Sequence, residues 1–595
     1  MAKIFILQHH YVELQMMPTE CSALLEHVSG IHKLPRKEDT YRCSLKLLPD
    51  VLFHLRGWTV DNVPDGLARD SLEHELTRRA MTTELKQHGT DVQYPGLWKH
   101  QNLGVELARY NGRYNFFYDT RTGKTRMAFQ IIQNALEAGK IHRALVIVPS
   151  TIIPSWLEDS KQFPMKVAAY YGDARRKADA LSTPCHIMLW STGMVVNEIE
   201  LIRRCKFDMV ILDESSKCKS RTTKLAQALM DYATTVPYWY NLSATPAPNG
   251  EYEYFAQMQF VDKYLFNPVW THFKNKYFDN ISYSPKFEKL ALKGNMRQEF
   301  MDLVEQCSIY IDQSVMPMAE TEWHPWGFHL EQDTFEYYEN MRKKMSADIG
   351  ETEIIVDAAV IARAKLQQIC SGFIMDTDAR AQNIMNRKLE LEATEQEIYV
   401  LPGPNKRLEA LQQLLSALGS QQVLIWAHYG QEFADIKALL GDACRIINGK
   451  TPTMTKNEYV AAFKAKEFQY LIAHPLSLGM GVNLTVVHSC IYYRVTDSWE
   501  ALKQSSERIK AHKNIQPFKC DYYVLLAASP DGEPLVDSLV YDNVTNKRDA
   551  STDFLNYLRS GHYGGETVCN NTVPHQAEPA EQNVPYRSPM PPAYY

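Results

Sequence analysis

Between residues 91 and 250 the chain carries two hydrophobic rhythms. Phe116-Phe117-Tyr118, Ala144 to Val148, Met209 to Leu212 and Tyr240 to Leu242 are short continuous apolar runs, the pattern of strands buried on both faces. After the first run, Ala128, Ile131, Ile132, Ala135 and Leu136 recur at helical spacing, and Gly139 can close that helix. Strands alternating with helices predict βαβ units, and so a parallel sheet. A second such region runs from about 400 to 530, with strands expected at Val423 to Ala427, Tyr470 to Ala473, Cys490 to Tyr493 and Tyr523 to Leu526. The fold class predicted is α/β, with two parallel-sheet lobes.

The flanks read differently. Residues 251 to 400 are aromatic and mostly helical in pattern, too long for a loop in a compact domain. Residues 1–90 read as a small separate α+β unit: Ile4 to Leu7 and the alternating Tyr41, Cys43, Leu45 and Leu47 as strands, Cys21 to Val28 and Val51 to Leu55 as helices. Its Lys33, Arg36 and Lys37 read as a solvated loop that could touch phosphate. Pro574, Pro579, Pro585, Pro589, Pro591 and Pro592 predict disorder in a C-terminal extension over 548–595.

At 595 residues the chain is too long for one core, and its 45% hydrophobic and 23% charged content is that of ordinary globular protein. No apolar run is long enough to span a membrane, and Met1 to Leu7 is too short for a signal peptide, so a soluble, cytoplasmic protein is expected. The 11 cysteines are scattered without a Cys-x-x-Cys pair, which suggests neither a zinc site nor a disulfide framework. A net charge of −6 argues against bulk attraction to nucleic acid. A local basic track is still compatible with it, because affinity follows the phosphates contacted.

Two motifs carry chemistry. Thr120-Arg121-Thr122-Gly123-Lys124-Thr125 follows an apolar run and opens a helix. Backbone N–H groups at such a turn can cradle phosphates, Lys124 can reach the β and γ oxygens of a nucleotide, and Thr125 can ligate Mg²⁺. The pattern is imperfect, since Tyr118 stands where G-x-x-x-x-G-K has its first glycine. Asp213 and Glu214 leave the run Met209 to Leu212, which delivers two carboxylates to the carboxyl edge of a parallel sheet. Asp213 can hold Mg²⁺ directly or through water, and Glu214 can orient or deprotonate a water. Taken alone, an Asp-Glu pair after a strand is also the ordinary polar start of a loop.

With these, Leu97, His100, Gln101 and Gly104 resemble the glutamine motif of superfamily-two helicases. The segments 243–250 (Ser-Ala-Thr-Pro-Ala-Pro-Asn-Gly), 368–373 (Gln-Ile-Cys-Ser-Gly-Phe) and 474–484 (from His474 to Leu484) are similar to the Swi/Snf-type branch of that superfamily. The compact members in bacteria and their viruses are the nearest in pattern. The resemblance runs from about 95 to 547, with every motif in family order. It implies two RecA-like lobes with helical protrusions, at 91–320 and 321–547, and the use of ATP and Mg²⁺. It also implies roles. Gln101 would read adenine, and Thr122, Gly123, Lys124, Thr125, Arg126 and Gly481 would line the nucleotide site. Ser243 and Thr245 would couple phosphate state to lobe closure. Pro149, Ser150, Thr151, Ser191 and Thr192, with Lys217 and Lys219, would meet nucleic acid in the first lobe, and His428, Ser477 and Gly479 in the second. Small hydroxyls and backbone N–H groups at element ends bind phosphates without reading sequence.

The last motif, Gln504 to Lys513, aligns with one that supplies two arginines three residues apart and acts across the lobes. Arg508 fits the first, but Ala511 occupies the second, with His512 or Lys513 as neighbouring substitutes. The expected activity is ATP-dependent translocation on double-stranded DNA, with remodelling of protein–DNA or branched DNA complexes. Two alternatives stay open: a strand-separating DNA or RNA helicase, and a catalytically weak nucleotide-dependent scaffold whose residues 1–90 bind a protein partner such as a polymerase.

Overall fold

The computed structural model describes residues 3–7, 11–25, 28, 30–34, 37–54, 67–282, 288–350, 356–375, 398–478, 482–513, 516 and 518–546. They divide into two compact units that meet in the chain at Met316 and Pro317. Arg36, Gly479, Gly481 and the extension 548–595, all singled out above, lie outside the described residues.

The first unit begins with an antiparallel sheet of β1 (Lys3–Leu7), β2 (Tyr11–Gln15), β3 (His32–Lys33) and β4 (Thr40–Ser44), in the order β1-β2-β4-β3. Val12, Leu14, Cys43, Leu47 and Val51 belong to one hydrophobic cluster with Leu145, Met188, Trp190 and Val210 of the larger sheet that follows. Helix Leu67–His88 then leads to helix Lys99–Tyr110, and β5 (Arg113–Tyr118) opens that larger sheet.

Its strands β5, β6 (Ala144–Val148), β7 (Val167–Tyr170), β8 (Ile187–Ser191), β9 (Met209–Asp213), β10 (Tyr238–Leu242) and a later strand order themselves in one parallel sheet. After a short hairpin, β11 (Phe278–Asn280) with β12 (Leu290–Leu292), the later strand β13 (Ser308–Ile311) adds parallel to β5. The full order is β13-β5-β10-β9-β6-β8-β7. Every residue of β6, β8 and β9 is buried, as the continuous apolar runs require when helices cover both faces.

The second unit is built on a parallel sheet with the order β14-β21-β20-β17-β19-β18. Its strands are β14 (Thr321–His329), β17 (Val423–Trp426), β18 (Cys444–Ile447), β19 (Tyr470–Ala473), β20 (Ser489–Tyr492) and β21 (Cys520–Ala528), and β15 (Phe373–Met375) pairs antiparallel with β16 (Ile398–Val400) in a separate two-stranded sheet. Each unit is thus a RecA-like parallel lobe, and the predicted fold class holds.

Where the pattern between 251 and 400 reads mostly helical, the described residues hold six strands: β11 paired with β12, β15 paired with β16, and β13 and β14, which join the two large sheets. Thr321–His329 carries Pro325 and alternates weakly, which argues against a central strand; β14 lies at the edge of its sheet, where a missing N–H is tolerated. The expected strand Tyr41 to Leu47 ends at Ser44, whose hydroxyl accepts from Lys46 N–H at 3.0 Å and turns the chain into a 3₁₀ turn over Leu45–Leu47. No helix among the described residues is long and apolar enough to cross a membrane.

Candidate nucleotide and nucleic-acid site

The phosphate loop joins β5 to helix Lys124–Glu137. Two residues in it have positive φ, Arg121 (59°) and Gly123 (75°), a conformation that turns successive N–H groups toward one concavity. From behind, the loop is held by the helix Lys99–Tyr110. His100 Nε2 donates to the Thr122 carbonyl at 2.8 Å, and the Gln101 amide donates to the carbonyls of Thr122 (3.0 Å) and Gly123 (3.1 Å). Gln101 Oε1 accepts from Trp98 N–H at 2.8 Å, and the residue is 1% exposed. Gln101 therefore braces the loop in this conformation instead of presenting its amide to solvent. A Cβ on Gly123 would lie 2.0 Å from Gln101 Nε2, so glycine is required there by both space and φ.

Tyr118 explains its own departure from the phosphate-loop pattern. As the last residue of β5 it points into the core, fully buried, and its hydroxyl donates to the His100 carbonyl at 2.8 Å. Room for it comes from Gly104, where a Cβ would sit 2.8 Å from the Tyr118 oxygen and 2.2 Å from Met127 Sδ. The ring thus fills space between strand and helix, away from the cradle.

Lys124 Nζ donates to the carbonyls of Tyr118 (2.9 Å) and Asp119 (3.1 Å), which draws the ammonium over the strand exit. Thr122 Oγ1 donates to the Asp119 carbonyl at 2.7 Å. Arg126 is tied back to the Gly96 carbonyl at 3.3 Å and to Gln162.

Asp213 ends β9, and Leu242 of β10 pairs in register with both Asp213 and Phe116. The loop, the carboxylates and Ser243 therefore leave adjacent parallel strands at one sheet edge, the edge where open α/β folds bind ligands. Asp213 is 6% exposed. Burial pushes its carboxyl up from the usual aspartate range, while the Lys124 charge, the Trp156 indole N–H, the Glu214 N–H and Lys217 pull it back. Glu214 adopts a left-handed conformation (φ 52°), which ends the strand and starts the 3₁₀ turn Ser215–Cys218. Ser243 is buried, and its Oγ accepts from Thr245 N–H at 3.2 Å; Thr245 Oγ1 is buried with no hydrogen-bond partner among the described residues.

The residues expected to meet nucleic acid leave the same edge. Pro149, Ser150 and Thr151 follow β6, Ser191 ends β8, and Thr192 opens the 3₁₀ turn after it. Ser150 is exposed and Thr151 half-buried, whereas Ser191 (5%) and Thr192 (7%) are buried. Lys217 is exposed, and Lys219 Nζ lies 3.9 Å from Glu253.

In the second unit, His428 follows β17 and packs edge-on against His474 beyond β19, with ring centroids 5.3 Å apart. Both its ring nitrogens are buried without a hydrogen-bond partner among the described residues. Burial, with the charge of Arg494 and the ring of His474, holds it well below the usual histidine range, so His428 is a neutral ring at pH 7. Ser477 is half-buried, its N–H bonded to the His474 carbonyl at 2.9 Å.

Gln504 lies on helix Trp499–Ser506, and Arg508, 9% exposed, follows its end with its carbonyl accepting from Leu484 N–H at 2.9 Å. Ala511 is 4% exposed and tied on both sides, its N–H to Gln516 Oε1 (2.6 Å) and its carbonyl to Ala319 N–H (2.7 Å). Position 511 is thus an inward-facing place that a small side chain suits. Lys513 reaches Glu320 at 3.1 Å, and Lys510 reaches Glu507 at 3.7 Å.

One contact at the site has no signal in the sequence. Trp156, which reads as an ordinary core aromatic, donates its indole N–H to Asp213 Oδ2 at 3.1 Å.

A hydroxyl at Thr125 and a carboxylate at Asp213 are hard oxygen donors of the kind Mg²⁺ takes, and the Lys124 ammonium, near enough to lower the Asp213 carboxyl, suits phosphate. The residues present therefore fit a Mg²⁺-nucleotide.

Comparison with known proteins agrees. The SNF2-related domain family matches residues 100–371, and the helicase conserved C-terminal domain matches residues 406–511. Putative protein p41 of Acyrthosiphon pisum secondary endosymbiont phage 1 is 23% identical over 62% of this chain and 79% of its own length. RNA polymerase-associated protein RapA of Haemophilus influenzae is 29% identical over 30% of this chain, which spans only 21% of it. DNA repair and recombination protein RAD54B of Gallus gallus is 20% identical over 80% of this chain and 56% of its own length. Among solved structures, the Sulfolobus solfataricus SWI2/SNF2 ATPase core in complex with dsDNA is 14% identical, with a TM-score of 0.35 over 79% of this chain and 96% of that one. With both domain families matched in order and the two parallel lobes in place, the chain belongs to the Swi/Snf-type, superfamily-two family of helicase-like ATPases.

Proposed function

We propose that this protein is an ATP-driven translocase on double-stranded DNA that remodels protein–DNA or branched DNA complexes. The observation that supports it most is the single sheet edge shared by the phosphate loop, Asp213-Glu214, Ser243 and the segments 149–151 and 191–192. On that edge Asp213-Glu214 stand one strand from 149–151 and two strands from 191–192, segments suited to a nucleic-acid backbone.

In this reading Lys124 and the loop N–H groups hold the β and γ phosphates, and Gln101 holds the loop in shape for them. Thr125 and Asp213 would hold Mg²⁺, which when bound neutralises charge on the transferring phosphate. Glu214 orients the attacking water and accepts its proton. Gln504 and Arg508 of the second unit are needed for turnover, Arg508 as the arginine finger, a group worth about 10³ to 10⁵ in rate in other phosphate-transfer enzymes. Ser150, Thr151, Lys217 and Lys219 take the backbone in the first unit. Ser477 contributes a hydrogen bond in the second, beside the neutral His428 ring, whose nitrogens are buried in this conformation.

Two relatives are named chromodomain-helicase-DNA-binding protein 1-like and DNA repair and recombination protein RAD54B, names that support DNA as the substrate proposed here. Lys124→Ala is expected to abolish ATP hydrolysis stimulated by duplex DNA in the purified protein. Undiminished hydrolysis in that variant would refute the proposal. Rates compared over duplex DNA, single strands, forks and RNA separate translocation on duplex from strand separation or RNA work.

A further inference from the structure

Asp213 is placed by more than its own strand. Helix Ile153–Ser160 follows β6, the strand beside β9, after the short turn Ser150–Ile152. That short connection carries Trp156, 1% exposed, over the end of β9. Its indole N–H meets Asp213 Oδ2 at 3.1 Å, and the Glu214 N–H meets Oδ1 at 3.0 Å. Each carboxylate oxygen is thus fixed by one donor and keeps lone-pair capacity for another partner. On its other side Trp156 packs on Phe129, with centroids 5.2 Å apart, and Phe129 belongs to the helix that begins at Lys124. One side chain therefore touches both the carboxylate and the phosphate-loop helix. Burying an indole N–H without an acceptor is costly, and the acceptor met here is the one carboxylate on which metal binding would depend.

We infer that Trp156 is a positioning residue for the metal: its indole N–H fixes the Asp213 carboxylate in the orientation that binds Mg²⁺-nucleotide. The inference rests on the proposed role of Asp213. Phenylalanine at 156 keeps most of the ring volume and the contact with Phe129 but cannot donate.

The test is calorimetric titration of the full-length protein with a non-hydrolysable ATP analogue, in Mg²⁺ and in EDTA, with thermal unfolding recorded beside it. For Trp156→Phe, affinity in Mg²⁺ is expected to fall about tenfold, the scale of a lost hydrogen bond to a charged group, with affinity in EDTA within about twofold of wild type. Phe129→Leu loosens the same packing without touching the carboxylate and is expected to lower the unfolding temperature while keeping the Mg²⁺-dependent affinity. An unchanged Mg²⁺ dependence in Trp156→Phe overturns the inference, as does an equal loss in Phe129→Leu. Asp213→Asn separates the two levels. If it removes the Mg²⁺ dependence and Trp156→Phe does not, only the role of Trp156 falls; if it leaves the dependence intact, the role proposed for Asp213 falls with it.

Discussion

Replacing Tyr118 by glycine would restore the residue that the phosphate-loop pattern has at this place, and sequence comparison alone would expect a better nucleotide site. The structure predicts damage. Tyr118 is fully buried, lies edge-on to Phe116 with centroids 5.9 Å apart, and its hydroxyl is bonded to the His100 carbonyl at 2.8 Å. Truncating a buried aromatic ring costs about 3–5 kcal/mol, and glycine inside a strand adds roughly 0.5–1 kcal/mol. A loss of about 4–6 kcal/mol is comparable with the whole stability of an ordinary domain. Tyr118→Phe keeps the ring and loses only the hydroxyl contact, for about 1 kcal/mol. Urea unfolding followed by circular dichroism, with ATP hydrolysis measured on the same preparations, reads both effects. Tyr118→Gly should shift or abolish the transition of the first unit and show no gain in hydrolysis. A Tyr118→Gly protein with the wild-type transition, or with faster hydrolysis, would refute the assignment of this ring to the core.

Gly123→Ala, whose Cβ would stand 2.0 Å from Gln101 Nε2 at a φ of 75°, should weaken binding of a fluorescent ATP analogue by tenfold or more and, with about 1–3 kcal/mol of local strain, also lower the unfolding temperature. Arg407 is fully buried in the second unit, paired with Asp537 and donating to the Tyr493 carbonyl at 2.7 Å; Arg407→Ala strands a buried carboxylate and should cost about 3–5 kcal/mol by urea unfolding. Burial, with Lys276 and His272 nearby, lowers the pKa of His32 to about 4. Below pH 6.5 the unfolded chain takes up a proton that the folded chain refuses, so this contribution is complete above 6.5 and lost as pH falls toward 4, by up to about 3 kcal/mol. The unfolding temperature of wild type should therefore fall more between pH 6.5 and 4.5 than that of His32→Gln, and equal falls would count against it.

The pattern along the chain was sufficient for the parts of the fold that local chemistry dictates. Fully buried parallel strands must be apolar throughout, so β6, β9, β17 and β19 stand out as runs, and the helix after Gly123 stands out by its period. Lys124, Thr125, Asp213 and Glu214 stood out as candidates because the chemistry proposed for them requires fixed spacing from a strand end, and the structure places them at the ends of β5 and β9 on one sheet edge. Edge strands were not, since β14 pairs on one side only and can carry Pro325 and polar residues without breaking a ladder.

Where side chains aim was settled by packing between elements. Tyr118 looked like a defect in the cradle and is a core residue, because the last position of β5 faces helix Lys99–Tyr110, where Gly104 makes room. Gln101 braces the loop, and Ser191 and Thr192 are buried at an edge where their type suggested contact with a backbone. Trp156 and Asp213 are far apart in the chain and meet only because β6 and β9 are neighbours, a pairing set by sheet order and invisible to any local pattern. Residue types at strand ends limit the chemistry open to the chain; packing across adjacent strands selects which of their atoms are held in place for it.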